Sequence, residues 1–316
     1  MRNTSSIPKS ILDMLEEIKM DNINSSIVLT KRLVYVLLDF IKIVDNPTID
    51  KIQELIIKMI ETQPMMASIV NFCNKILIEI EKHQDSIKET IFDYSNEFLS
   101  NLDNQTQHIS NYASSVIHSG MKIATYSYST TVAEMLNYAK KQGKDFTVLC
   151  SESRPSNEGI ILARYLGENG IKTILVTDAM LFSNIKDVEI IFVGADSLNK
   201  NGIINKVGTS ALAKIAFYES IPFYHLCGID KILPYDYPII KETNRNPEEI
   251  LKDDINNVIV KNKYFDTTPF DYITGIITEK GILSKEKLLS IIGSYKTHPY
   301  ILKHILSNNN RDGKNC

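Results

Sequence analysis

Apolar residues recur at three- and four-residue steps through the first third of the chain and gather into short uninterrupted runs after it. Ile11, Leu15 and Ile18 share one helical face behind Pro8, a residue that suits a first helical turn because its missing N–H has no partner there anyway. Ile49, Ile52, Leu55, Ile56, Met59 and Ile60 continue the pattern after Thr48, a residue that can cap a helix with its hydroxyl. Ser26–Val44 is the most apolar long window. It carries Lys31, Arg32 and Asp39, which a bilayer would penalise, so it predicts an amphipathic helix and no membrane span. Met66–Ile80 and Ser86–Leu102 repeat the same spacing. Residues 7–115 are therefore expected to form four or five helices packed as a bundle, with the Met and Phe side chains filling its core.

Beyond residue 115 the period changes. Met121–Ala124, Phe146–Cys150, Lys172–Val176, Val188–Val193 and Pro222–Leu226 are short apolar runs, and the helical stretches Thr130–Lys141, Asn157–Glu168 and Val207–Glu219 lie between most of them. Runs of this length alternating with helices predict βαβ units and a parallel sheet of at least five strands. The fold class is α/β: a helical domain over residues 1–115, then a parallel-sheet domain over residues 116–316. The tail Asn308–Asn315 reads as unstructured.

Composition narrows the function. With 43% hydrophobic and 23% charged residues, the 316-residue chain is globular, and 35 basic against 38 acidic side chains gives a net charge of −3. That balance provides no electrostatic footprint for nucleic acid. The start, Met1-Arg2-Asn3-Thr4-Ser5-Ser6, is polar and has no secretory apolar region. Cys73, Cys150, Cys227 and Cys316 are scattered and form no CxxC pair, so neither a metal site nor a disulfide framework is expected, and the compartment is read as cytoplasm. No cofactor is expected either: GxGxxG and GxxxxGK[ST] are both absent.

Polar groups collect where the strands end, the edge at which open parallel sheets bind ligands. These are Thr125–Ser129, Ser151-Glu152-Ser153-Arg154-Pro155, Thr177-Asp178, Gly194-Ala195-Asp196 and then Asn205-Lys206-Val207-Gly208-Thr209, read as opening a helix. Each alone is an ordinary helix cap; together they predict a polar site. Hydroxyls and backbone N–H groups near Ser127–Thr131 and Gly208–Thr209 suit an anion. Arg154 could fork onto a phosphate or onto Glu152 or Asp178, and Lys206 offers a point charge.

In this order these motifs, with Glu158-Gly159, Ile221-Pro222-Phe223-Tyr224, Asn262–Pro269 and Ile276–Gly281, resemble one superfamily. It holds the alpha, beta and delta regulatory subunits of eukaryotic initiation factor 2B, the methylthioribose-1-phosphate isomerases and the ribose-1,5-bisphosphate isomerases. The resemblance implies a helical first domain, a Rossmann-like second domain and a homodimer through the second domain, for which Ala211–Tyr224 and Tyr264–Gly281, both apolar and aromatic, are the expected face. The strand ends sharing one sheet edge predict a ligand pocket between the domains.

The departures fall on the chemistry. Aldose–ketose isomerisation needs an acid and a base across the sugar. By the resemblance, Asp196 matches the isomerases' aspartate, whereas Ser127 stands where they carry a cysteine; a serine hydroxyl does not rest as an anion without a dedicated base. The nearest histidine in sequence, His118, precedes the strand. Asn205 and Lys206 match the pair that binds substrate. An Arg-Gly-Ala turn aligns to Asn24-Ser25-Ser26, Gln63 before Pro64 replaces an arginine, and Glu158 replaces a substrate-contacting glutamine. Two cations are lost and one anion gained. The reading is an initiation-factor-2B-like regulatory protein that binds a sugar phosphate or nucleotide through Gln63, Ser127, Arg154, Glu158, Asn205 and Lys206 without catalysis, acting by assembly or on a translation-factor partner. The alternative is an aldose–ketose isomerase of a phosphorylated pentose, with Asp196 as proton donor.

Overall fold

The computed structural model describes residues 7–21, 24–238, 240, 242 and 244–312, and among these residues the chain forms eleven α-helices and ten strands. Five helices come first: α1 (Lys9–Met20), α2 (Ser26–Ile43), α3 (Ile49–Thr62), α4 (Ala67–Lys82) and α5 (Ile87–Ser114). Thr48 caps α3, its hydroxyl accepting from the Lys51 N–H at 3.4 Å. The predicted apolar faces meet: Ile11, Leu15 and Ile18 of α1, Leu33 and Leu37 of α2, Ile52 and Ile56 of α3, and Phe72 and Ile76 of α4 are buried in one core. Phe72 stacks near Tyr94 and Phe98, with ring centroids 5.9 and 5.0 Å away.

The chain then runs β1 (Lys122–Thr125), α6 (Thr130–Lys141), β2 (Thr147–Ser151), α7 (Glu158–Glu168), β3 (Lys172–Val176), α8 (Asp178–Ser183) and β4 (Ile190–Val193). β5 (Ser197–Asn199), β6 (Gly202–Lys206), α9 (Thr209–Tyr218), β7 (Phe223–Leu226), β8 (Phe265–Thr268), β9 (Gly275–Thr278), β10 (Gly281–Leu283), α10 (Lys285–Ser294) and α11 (Pro299–Asp312) complete it. All five predicted runs are strands of one seven-stranded sheet, ordered β10-β9-β7-β4-β1-β2-β3 and parallel except for β10. Its strands read as continuous apolar runs because both faces are covered. One face packs Ile123, Val148, Phe192 and Leu226 with α6 and α7; the other packs Ala124, Ile191, Val193 and Phe223 with α8 and α9.

Two compact units result. One takes the chain up to Asp103, Asp230–Ile240 and the chain from Ile291; the other takes Asn104–Ile229 and Lys241–Ser290. Relative to a single boundary near residue 115, two later segments join the helical unit because Leu233, Tyr237, Ile301 and Ile305 bury their side chains in its core. The tail also differs from expectation: α11 continues to Asp312, and residues 313–315 of that stretch lie outside the described residues, as does the polar start 1–6.

One local reading is corrected. Asn205 and Lys206 do not open a helix after a parallel strand. They end β6, the middle strand of a separate antiparallel sheet ordered β5-β6-β8, and α9 starts at Thr209. Asn205 pairs with Asp266 and Lys206 with Phe265 across that ladder.

Candidate functional site

Sheet order reverses between β1 and β4: from β1 the chain builds outward to β2 and β3, then returns to β4 and continues to β7. Loops leaving adjacent strands diverge at such a switch point, and ligands bind outside it. Ser127 follows β1 there, and Gly194-Ala195-Asp196 follows β4.

Three non-glycine residues near the first of these loops hold left-handed backbone: Ser127 (φ 66°), Ser153 (φ 62°) and Asn157 (φ 60°). Such conformations cost about 1–3 kcal/mol each and persist where surrounding bonds over-determine them. The bonds are present. Ser127 N–H donates to Ser153 Oγ at 2.8 Å, and the N–H groups of Ser153 and Arg154 donate to the two oxygens of Asp178 at 2.9 and 2.8 Å. Gly159 closes the arrangement. A Cβ there would lie 1.8 Å from the Ser151 carbonyl oxygen, so only glycine lets α7 start flush against the end of β2.

That start delivers Glu158. Its Oε1 accepts from the Ser127 hydroxyl at 2.8 Å and pairs with Lys206 Nζ at 2.7 Å. The ion pair is nearly buried, with 9% of the lysine and 12% of the glutamate side chain exposed, and Glu158 Oε2 is buried without a hydrogen-bond partner. Lys206 Nζ also donates to Ser156 Oγ at 3.3 Å and sits 4.7 Å from the centre of the Tyr264 ring. Arg245 packs at 4.8 Å from the same ring. The Tyr264 hydroxyl donates to Glu249 Oε1, whose residue's carbonyl accepts from Arg154 Nη2 at 2.8 Å. Arg154 therefore reaches a backbone carbonyl with its guanidinium and meets Asp178 only through its own N–H.

Asp266 organises the turn into α9. Gly208, with φ 105°, donates its N–H to Asp266 Oδ2 at 2.8 Å, and Ser210 N–H points to both oxygens at 3.2 and 3.3 Å. Burial pushes the Asp266 carboxyl up to about 6, against the pull of those two N–H groups. Asn205 Nδ2 donates to Thr209 Oγ1 at 3.2 Å. Asp196 is half-buried between β4 and β5, and its N–H donates to the Ile204 carbonyl at 2.9 Å.

Ser127, Glu158 and Lys206 are thus joined directly, and Arg154 is linked to them through Glu249 and Tyr264. Asn205 flanks Lys206, and Asp196 is tied to the strand that carries both. Ser129 and Thr177 prove to be helix caps, accepting from Val132 and Met180 N–H groups. Gln63 is buried in the helical unit, its amide donating to the Ile18 and Asp21 carbonyls at 3.1 and 3.4 Å. Among the described residues no group of three or more His, Cys, Asp or Glu could hold a metal ion, and no helix is long and apolar enough to cross a membrane.

Sequence reasoning passed over Tyr264, Asp266, Glu249 and His225. The first two lie inside the quoted run Asn262–Pro269, where their types already offered a ring and a carboxylate. His225 carries no periodic signal. It is fully buried on β7, and its Nδ1 lies 2.7 Å from the Gly194 carbonyl oxygen, which can only accept, so the proton is on Nδ1. Nε2 keeps its lone pair with no partner, and burial pushes the imidazole down to about 4. The thiol of Cys150 is pushed up to about 12 by burial, so it offers no thiolate.

The model of the Initiation factor 2 subunit family matches residues 22–285. A protein of Pyrococcus horikoshii named translation initiation factor eIF-2B subunit 2-like is 32% identical over 281 residues, covering 88% of this chain and 97% of that one. The ribose 1,5-bisphosphate isomerase of Methanocaldococcus jannaschii is 31% identical over 242 residues, covering 75% of this chain and 78% of the isomerase. Among solved structures, translation initiation factor eIF-2B from Pyrococcus horikoshii superposes with a TM-score of 0.78 at 30% identity, covering 88% of this chain and 98% of that one.

Proposed function

The chain belongs to the Initiation factor 2 subunit family, and from that premise we propose that it is a regulatory binding protein. It takes a phosphorylated metabolite, a sugar phosphate or a nucleotide, at the carboxyl edge of its parallel sheet and does not turn it over. One observation carries this reading. The Ser127 hydroxyl, standing where the resemblance puts a cysteine thiol, is committed to Glu158 Oε1, and the same oxygen is held by Lys206. A lysine-paired carboxylate is a poor base for a hydroxyl, so Ser127 has no route to the anion that an acid–base pair with Asp196 would need. The remaining polar groups still suit an anionic, hydroxylated ligand.

The test is a thermal-shift screen over sugar phosphates and nucleoside monophosphates, with an isomerase assay on ribose 1,5-bisphosphate. A ligand at a hundredfold excess over its Kd stabilises by about 2.7 kcal/mol, which raises Tm by several degrees. Turnover of the bisphosphate that Asp196→Asn abolishes would overturn the reading.

A second reading, an aldose–ketose isomerase with Asp196 as proton donor, draws support from His225. Its lone-pair nitrogen belongs to an imidazole bonded to Gly194, two residues before Asp196.

A further inference from the structure

The Lys206–Glu158 pair bears on which ligand can bind. Lys206 shares Glu158 Oε1 with the Ser127 hydroxyl, and its ammonium already holds that carboxylate at 2.7 Å in a setting only 9% and 12% exposed. A second phosphate arriving there meets a neutralised pair instead of a free charge. The surroundings add to this. Besides its burial, the Tyr126 phenol is held above its ordinary range by the carboxylates of Asp178, Glu158, Asp266 and Glu152, four acidic groups around the end of β1. Tyr126 itself donates to the Val207 carbonyl at 2.9 Å, beside Lys206. The Arg154 guanidinium is turned to the Glu249 carbonyl.

Glu158 meanwhile lacks a donor on one side. Oε2 is buried and unpartnered, and a buried acceptor left unsatisfied is costly, whereas a hydroxyl that donates to it recovers the bond. The carboxylate thus repels a doubly phosphorylated ligand and welcomes a hydroxyl.

We propose that Glu158 is the specificity-determining residue of this site, selecting a polyhydroxylated ligand with a single phosphate and rejecting bisphosphates. The inference rests on the binding reading above and adds its charge limit. It follows that replacing the carboxylate by its neutral isostere frees Lys206 for a second anion.

Isothermal titration of the full chain with ribose 5-phosphate, ribose 1,5-bisphosphate and inorganic phosphate tests it. The unaltered protein is expected to bind ribose 5-phosphate at least about tenfold more tightly than either of the others, and Glu158→Gln to shift the monophosphate-to-bisphosphate ratio by about tenfold towards the bisphosphate. Equal or tighter binding of the bisphosphate by the unaltered protein overturns the charge limit while leaving the binding reading in place. A ratio unmoved in a folded Glu158→Gln protein also overturns it. Failure of the unaltered protein to bind any of the three at millimolar concentration removes the binding reading and this inference with it. The comparison within the unaltered protein needs no variant to fold.

Discussion

Lys206→Ala removes the cation that shares Glu158 Oε1 with the Ser127 hydroxyl. Nζ lies 2.7 Å from that oxygen, and 9% and 12% exposure leaves little water to take its place. The loss therefore falls in the range for breaking a buried pair, about 3–5 kcal/mol, and not the fraction of a kcal/mol typical of an exposed one. Withdrawal of the ammonium from the Tyr264 ring, 4.7 Å away, adds about 0.5–1 kcal/mol. Most of the cost is the orphaned carboxylate, so adding Glu158→Gln to Lys206→Ala should restore about 2 kcal/mol or more. Urea unfolding followed by far-UV circular dichroism measures this. Tyrosine fluorescence serves as the second probe, since the chain has 15 tyrosines and no tryptophan. A lower midpoint at unchanged slope is the expected signature. A cost below about 1 kcal/mol for Lys206→Ala, or a double variant no more stable than the single one, would refute the argument that this pair is desolvated and mutually dependent.

Gly159→Ala places a Cβ 1.8 Å from the Ser151 carbonyl oxygen and 2.8 Å from Ser153 Oγ, so the start of α7 must shift; a loss of about 1–3 kcal/mol or more is expected, and an unchanged Tm would show the contact to be soft. His225 and Asp266 tilt the pH dependence in opposite directions. His225, lowered from 6.5 to about 4, contributes fully above its unfolded value and loses that contribution as pH falls through 4; Asp266, raised from 3.8 to about 6, contributes fully below 3.8 and loses it as pH rises through 6. Asp266→Asn should therefore steepen the rise of the urea midpoint between about pH 4 and 7, and parallel profiles would count against it. The aromatic group of Phe217 and Tyr218, 53% and 77% exposed, with Tyr272 edge-on to Phe217 at 5.6 Å, is expected to pair two copies. Sedimentation should give twice the 35.9 kDa chain mass and Phe217→Asp should halve it; a 35.9 kDa species for the unaltered chain at micromolar concentration would dismiss the dimer.

Local pattern alone determined the elements whose burial follows a simple period. The Ile52–Ile60 face of α3 and the apolar runs of β2 and β4 are visible in sequence because each buries a regular set of positions, on one stripe of a helix or on both faces of a covered strand. The polar ends of β1, β2 and β4 were visible too, since a strand that stops in Ser, Asp or Arg marks an edge. Tertiary structure decided the rest. β5, β6 and β8 are three to five residues long; β5 and β6 form a short hairpin, but β6 pairs with β8 across more than sixty positions of sequence at Ile203 and Thr268, so no local period announces that ladder. That ladder, and not a helix start, brings Lys206 to Glu158 and sets the charge of the site. Leu233, Tyr237, Ile301 and Ile305 look like any apolar residues of the second half, and only packing shows that the helical core claims them. His225 belongs to the same class: burial and one carbonyl, Gly194, turn an unremarked strand residue into a neutral imidazole with a fixed tautomer. A side chain's type is a local property, whereas its partner, solvation and charge state depend on what the chain folds against it.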